Sequence, residues 1–150
     1  MSGVVVVDAS LAVTWVVDER FTEQARDLLI EWERHDVQRL VPCWFACEVA
    51  SALYRRKRRS ELTLAEVERA LDDVLAAVTP QADLPATVAR AVELAEQLNQ
   101  PRPYDAQYAA LAESAGCGFW TADERFYNAA RRRCPWVHWI GVDQATVDDS

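Results

Sequence analysis

Val4-Val5-Val6-Val7-Asp8, close to the start of the chain, is a continuous β-branched run stopped by an acid. A run of this kind reads as a strand buried on both faces, as found inside a parallel sheet that helices cover from both sides. Outward from it the period changes to a helical one. Over residues 19–34 the apolar side chains Phe21, Ala25, Leu28, Leu29 and Trp32 recur at three- and four-residue steps, with charges between them. Arg39-Leu40-Val41 forms a second short strand ended by Pro42, and a helix follows over 44–59 with Phe45, Val49, Ala52 and Leu53 along one flank. Thr63-Leu64-Ala65-Glu66 has the form of a capping box, which predicts a helix from there to about residue 78, before Pro80. Pro85 suits the first turn of another over 84–98. Beyond Pro101-Arg102-Pro103 the pattern predicts a helix over 104–115, a strand over 118–120, a helix over 122–133 and a last strand over 137–140. Strands that alternate with helices, on connections too long for hairpins, predict an α/β fold with a mostly parallel central sheet flanked by helices. The one departure is the helix pair over 63–98, expected as a helical hairpin beside the sheet.

The 150 residues suit a single domain spanning 1–150, and a 51% hydrophobic, 27% charged composition supplies a core beneath a solvated surface. Four glycines, six prolines and no low-complexity run exclude collagen-like, linker-rich and disordered classes. No apolar stretch approaches the roughly 18 residues that would span a bilayer, and the first residues lack the pattern of a secretory leader. A cytoplasmic location with no membrane partner is therefore expected. Sixteen basic against twenty-four acidic residues give a net charge of −8, which excludes binding of nucleic acid through a globally positive surface and leaves local basic patches. Cys43, Cys47, Cys117 and Cys134 contain one close pair, at C-x3-C, and His35 and His138 stand at no zinc-like spacing, so buried thiols, unpaired in a reducing compartment, are expected. Of the six tryptophans, Trp15, Trp44, Trp120, Trp136 and Trp139 fall near apolar stretches, and Trp32 shares a helix flank with Leu28 and Leu29. Trp15 or Trp44, if exposed beside a site, would stack on a base or receive a partner's side chain.

Ligands of an open parallel sheet bind outside the carboxyl ends of its strands. Asp8 ends the first strand and Asp123 follows Trp120 by three residues, so both should project into one crevice. Glu48 and Asp105 stand at two further helix starts, after Pro42 and Pro103. Each acid also has an ordinary structural reading. Asp8 would cap a helix beginning near Ser10, Asp105 would be a first-turn acid favoured by the helix dipole, and Thr121-Ala122-Asp123-Glu124 would be a capping box. Glu48 is hardest to explain that way, because Trp44-Phe45-Ala46-Cys47 precede it and Val49-Ala50 follow it.

Taken jointly, four stretches carry more information. Val6-Val7-Asp8-Ala9-Ser10, Pro42-x5-Glu48-x-x-Ser51-Ala52-Leu53, Tyr104-Asp105-Ala106-x-Tyr108-x-Ala110-Leu111-Ala112 and Thr121-Ala122-Asp123-x-Arg125-Phe126 resemble the PIN-domain ribonucleases. More narrowly they resemble the VapC toxins of toxin–antitoxin modules, with the motifs in family order from about residue 4 to residue 140. The resemblance implies a PIN-like three-layer sandwich and a metal-dependent endoribonuclease whose catalytic and metal-binding acids are Asp8, Glu48, Asp105 and Asp123. It further implies Ser10 and Thr121 as supporting hydroxyls, an RNA substrate, a cognate VapB-like antitoxin and a homodimer. Many relatives carry Asn three residues after the glutamate, where this chain has Ser51 and no amide.

The residue types suit that chemistry. Hard carboxylate oxygens bind Mg²⁺ or Mn²⁺, and such an ion activates water for in-line attack on a phosphodiester. No histidine or lysine stands in these stretches to serve as a base. Arg55 and Arg56 within the basic run 55–59, Arg102, and the run 131–133 are candidate phosphate contacts, although charge runs at helix ends also serve as solvated faces. Two other readings stay open: a PIN nuclease of RNA processing that needs no antitoxin, and an inactive binding module of the same fold whose acids only cap helices.

Overall fold

The structure, a computed structural model, describes residues 3–142. The chain runs β1 (Gly3–Val7), α1 (Ala9–Val13), α2 (Thr22–Arg34), β2 (Val37–Pro42), α3 (Phe45–Arg58), α4 (Leu64–Ala76), β3 (Thr79–Gln81), α5 (Pro85–Gln97), α6 (Tyr104–Ala115), β4 (Phe119–Thr121), α7 (Glu124–Ala130) and β5 (Val137–Trp139). The valine run is the central strand of a five-stranded, all-parallel sheet of order β3-β2-β1-β4-β5. Burial rises along β1, from exposed Gly3 through half-buried Val4 and Val5 to fully buried Val6 and Val7. The carboxyl end of the strand therefore opens into the interior, where Asp8 is met.

Successive residues of a strand face opposite sides, and β4 makes the two layers of helices visible. Phe119 stacks on Tyr108 of α6, with ring centroids 5.5 Å apart, and meets Phe126 of α7 at 6.0 Å. Its neighbour Trp120 meets Trp32 of α2 at 6.2 Å. Right-handed crossovers, the rule for parallel connections, put α1 to α4 over one face and α5 to α7 over the other. The result is an α/β three-layer sandwich. Gly116 closes α6 in the left-handed conformation, at φ 65°, which glycine adopts without strain.

Residues 63–98 do not form the expected helical hairpin. α4 packs on α3 and α5 packs on α6, while Thr79–Gln81 between them forms β3, parallel to β2 with Thr79 opposite Leu40. Pro80 lacks an N–H and is tolerated here because β3 is an edge strand with one unpaired side. Three residues around a proline present no period to read, which is why the strand escaped the sequence pattern. Arg39 Nε donates to the Ala77 carbonyl at 2.8 Å and ties the end of α4 to β2. Among the described residues no helix is long and apolar enough to cross a membrane. The four cysteines are free, but only Cys134 is the buried thiol expected: Cys117 is half-buried, and Cys43 and Cys47, at the start of α3, are exposed.

Phe119, fully buried between two aromatic neighbours, tests this layering. Phe119→Ala should lower unfolding stability by about 3–5 kcal/mol, the usual cost of deleting a core phenylalanine. A urea titration should show the midpoint falling with little change in slope.

Candidate active site

The order of strands reverses between β1 and β4: the chain leaves β1 toward β2 and β3 on one side, and β4 leads to β5 on the other. Connections from the carboxyl ends of these two neighbours leave for opposite faces, and a crevice opens between them. Asp8 follows β1 directly and Thr121 closes β4. Asp8 Oδ1 accepts from Ser10 Oγ at 2.7 Å and from the Leu11 N–H at 3.0 Å, and Oδ2 accepts from Thr121 Oγ1 at 2.5 Å. Thr121 Oγ1 accepts in turn from the Asp123 N–H at 3.0 Å, and Ser10 Oγ from the Ala122 N–H at 3.1 Å. Two loops far apart in sequence are thereby stitched together.

This stitching also corrects a capping assignment. Thr121 does not open a capping box, because it closes β4 and its oxygen accepts from the Asp123 N–H rather than from that of Glu124. Asp123 becomes the N-cap of α7 instead, accepting from the Phe126 N–H at 3.2 Å.

The remaining acids come from helices on both sides. Glu48 lies in the first turn of α3, and Tyr108 of α6 donates its hydroxyl to Glu48 Oε1 at 2.9 Å. Asp105, three residues before Tyr108, shares its face of α6. All four acids line one open cavity of about 820 Å³, together with Ser10, Ser51 and Arg55. Burial pushes the Asp8 carboxyl up to about 7 against the pull of its three hydrogen bonds, and Asp105 nearby adds to the rise. Burial, then the charges of Asp123 and Glu48, push Asp105 up to about 6. Burial raises Glu48 as well, while the Tyr108 hydroxyl and the Arg55 charge work in the opposite direction.

Other expected residues fall elsewhere. Arg56 pairs with Glu19 and, at 3.3 Å, with Glu61, and is not part of the cavity wall. Arg102 is exposed outside it. Trp15 is buried away from the acids, whereas Trp44 is half-buried on the wall. Residues of the site to which the sequence assigns no role include Tyr108, whose signal is a large polar aromatic three residues after Asp105 in an alanine-rich helix, and Glu19, which lines the cavity from an irregular connection with no pattern to betray it.

The donor set fits a hard divalent cation. Asp8, Glu48 and Asp105 face one cavity with their protonation raised by burial, and for Asp8 and Asp105 by neighbouring carboxylates as well. As the side chains stand, no group of three His, Cys, Asp or Glu among the described residues is close enough to enclose an ion, so binding requires them to draw inward.

Fold and cavity together define a doubly wound parallel α/β domain with an acidic cleft at its switch point. The family model for the PIN domain matches residues 5–132, and the chain belongs to the PIN-domain family. It is 37% identical over 100 residues to Ribonuclease VapC3 of Mycobacterium tuberculosis, a match covering 67% of this chain and 68% of the relative. Among solved structures it resembles PAE2754 from Pyrobaculum aerophilum, with a TM-score of 0.62 and 24% identity over 83% of this chain and 78% of that one. It resembles equally the Mycobacterium tuberculosis toxin VapC20, described as cleaving the sarcin-ricin loop, with a TM-score of 0.62 and 16% identity over 83% of this chain and 94% of that one. At these identities the structural matches establish the fold.

The raised carboxyls imply a definite pH response. An acid whose folded pKa lies above its unfolded value near 3.9 destabilises the fold once ionised, so metal-free stability should fall as pH rises from about 4 through 7. Asp105→Asn removes one of the repelling charges and should be more stable than the native protein at pH 7.5 in EDTA, by about 1 kcal/mol after allowing for its partial exposure. Mn²⁺ should raise the native melting temperature more at pH 7.5 than at pH 5, and raise that of Asp105→Asn less. Melting curves with EDTA and with Mn²⁺ decide the matter: a native protein indifferent to both pH and metal would return these acids to plain helix-start roles.

Proposed function

We propose that this protein is a VapC-type toxin, an endoribonuclease that hydrolyses RNA phosphodiester bonds with Mg²⁺ or Mn²⁺ held by Asp8, Glu48, Asp105 and Asp123. The observation that carries the reading is the convergence of these acids, from four separate segments, on one cavity at the switch point. The identity to a VapC ribonuclease supports it.

Each residue then has a distinct task. Ser10, Thr121 and the Leu11 N–H hold Asp8 rigid, so its oxygens keep their direction when the ion arrives. Thr121 sets Asp123 in the same frame through its backbone N–H. Tyr108 takes one oxygen of Glu48 and leaves the other for the ion. A bound divalent ion supplies positive charge at the scissile phosphate and lowers the pKa of the attacking water. Arg55, at the rim, receives a flanking phosphate. Net charge −8 is no obstacle locally once the acids are neutralised in this way.

The same cavity explains inhibition. A VapB-like antitoxin would insert an arginine or lysine among the acids, a guanidinium substituting for the charge of the metal. The reading carries with it a homodimeric assembly in the cytoplasm.

Expression without a partner should arrest growth of the host, and Asp8→Ala, Glu48→Ala, Asp105→Ala or Asp123→Ala should relieve the arrest while lowering RNA cleavage by about 100-fold or more. Undiminished toxicity in a well-folded Asp105→Ala variant would overturn the assignment. Tyr108→Phe keeps the ring stack and loses only the hold on Glu48, so cleavage should drop by about tenfold. Antitoxin affinity should weaken as Mg²⁺ is raised; if it does not, the partner grips elsewhere, along the helices of 19–59.

A further inference from the structure

We infer that Tyr104, backed by Trp44, is a stacking platform that positions one nucleobase beside the scissile phosphate. The inference rests on the ribonuclease reading of the same cavity and adds to it a residue that positions the substrate. Two tyrosines are among the strongly exposed large side chains, Tyr54 and Tyr104, each 54% exposed, and of the two only Tyr104 lines the cavity. Its ring is held edge-on by Trp44, with centroids 5.6 Å apart, and Trp44 is braced in the same manner on Tyr108 at 5.1 Å. The chain of rings ends at the hydroxyl that holds Glu48.

Aromatic and acidic residues therefore share one wall. Tyr104 directly precedes Asp105, and Trp44 lies four residues, about one helical turn, before Glu48. A phosphate engaged by the acids leaves its own or the adjoining base within reach of the exposed Tyr104 face. Every base has a π-face to offer, so the platform positions a base without reading its identity. Arg20 and Arg55 line the same cavity. Their charge attracts the phosphates on either side of a stacked base.

The test uses an RNA oligonucleotide with one cleavage site and a series in which single nucleotides are replaced by abasic ribose. For the native protein, an abasic residue at one position next to the cut should lower kcat/KM by about tenfold or more, the usual worth of a stacked base. Tyr104→Ala should cleave intact RNA more slowly by a similar factor and become insensitive to the abasic residue at that position, while Tyr104→Phe should behave as native. A folded Tyr104→Ala variant that cleaves intact RNA at the native rate, or that keeps the full abasic penalty, would overturn the inference. So would a variant that cleaves normally but escapes antitoxin inhibition, since the wall would then serve a protein partner. Binding of the same labelled oligonucleotides in EDTA separates the two layers of argument: a native protein that cuts nothing in Mn²⁺ yet shows this binding pattern would sink the nuclease reading and support the platform.

Discussion

The buried carboxylate of Asp8 is the constraint on which the rest of the molecule depends. A carboxyl group at the interior end of a central strand is costly to desolvate unless donors surround it. Ser10, Leu11 and Thr121 supply them, and in doing so they fix α1 behind β1 and bring the end of β4 alongside. The hydrogen bond from Thr121 spans 113 positions of sequence. It closes the junction at which the sheet changes direction, so a contact within the site is also the contact that aligns the two halves of the fold.

That double role makes the ordinary reading of the acids compatible with the proposed functional one. Asp8 and Asp123 are N-caps of α1 and α7, and Glu48 and Asp105 lie in the first turns of α3 and α6. In a parallel α/β sheet the helices begin where the strands end, so their positive ends and their capping acids face the crevice by construction. Capping and metal binding are thus not alternatives. The helix starts reduce the cost of keeping negative charge in the cleft, yet burial and mutual repulsion still raise Asp8 and Asp105 toward neutral pH. The stability lost to burying and crowding these charges is what a divalent cation, held as proposed, would recover.

How much of this was legible in the chain follows from which interactions are local. The valine run, the helical period over 19–34 and the capping box at Thr63 each express themselves within a few residues, and β1, α2 and α4 lie where those patterns put them. β3 was not legible, because its place in the sheet comes from pairing with β2 across nearly forty positions and its own sequence contains a proline. The same holds inside the site. Thr121-Ala122-Asp123-Glu124 looks like a capping box locally, but pairing with β1 and β5 makes Thr121 the end of β4, and α7 starts only after Asp123, which caps it. Arg56 looked like a free cation in a basic run, but Glu19 and Glu61 claim it.

The Arg56 pairing shows how an acidic protein keeps a usable cleft for an anionic substrate. Of the neighbouring arginines on α3, Arg55 lines the cavity and Arg56, one position on and so turned by about 100° around the helix, reaches Glu19 in the connection between α1 and α2. Glu19 itself lines the cavity, where an unpaired carboxylate would add to the repulsion felt by a phosphate. Pairing with Arg56 neutralises that charge and anchors the rim to α3 at once. The acids that remain uncompensated are then those of the switch-point cluster, and the charge in the cleft is concentrated where a divalent cation, rather than an arginine of this chain, is the group that best balances it.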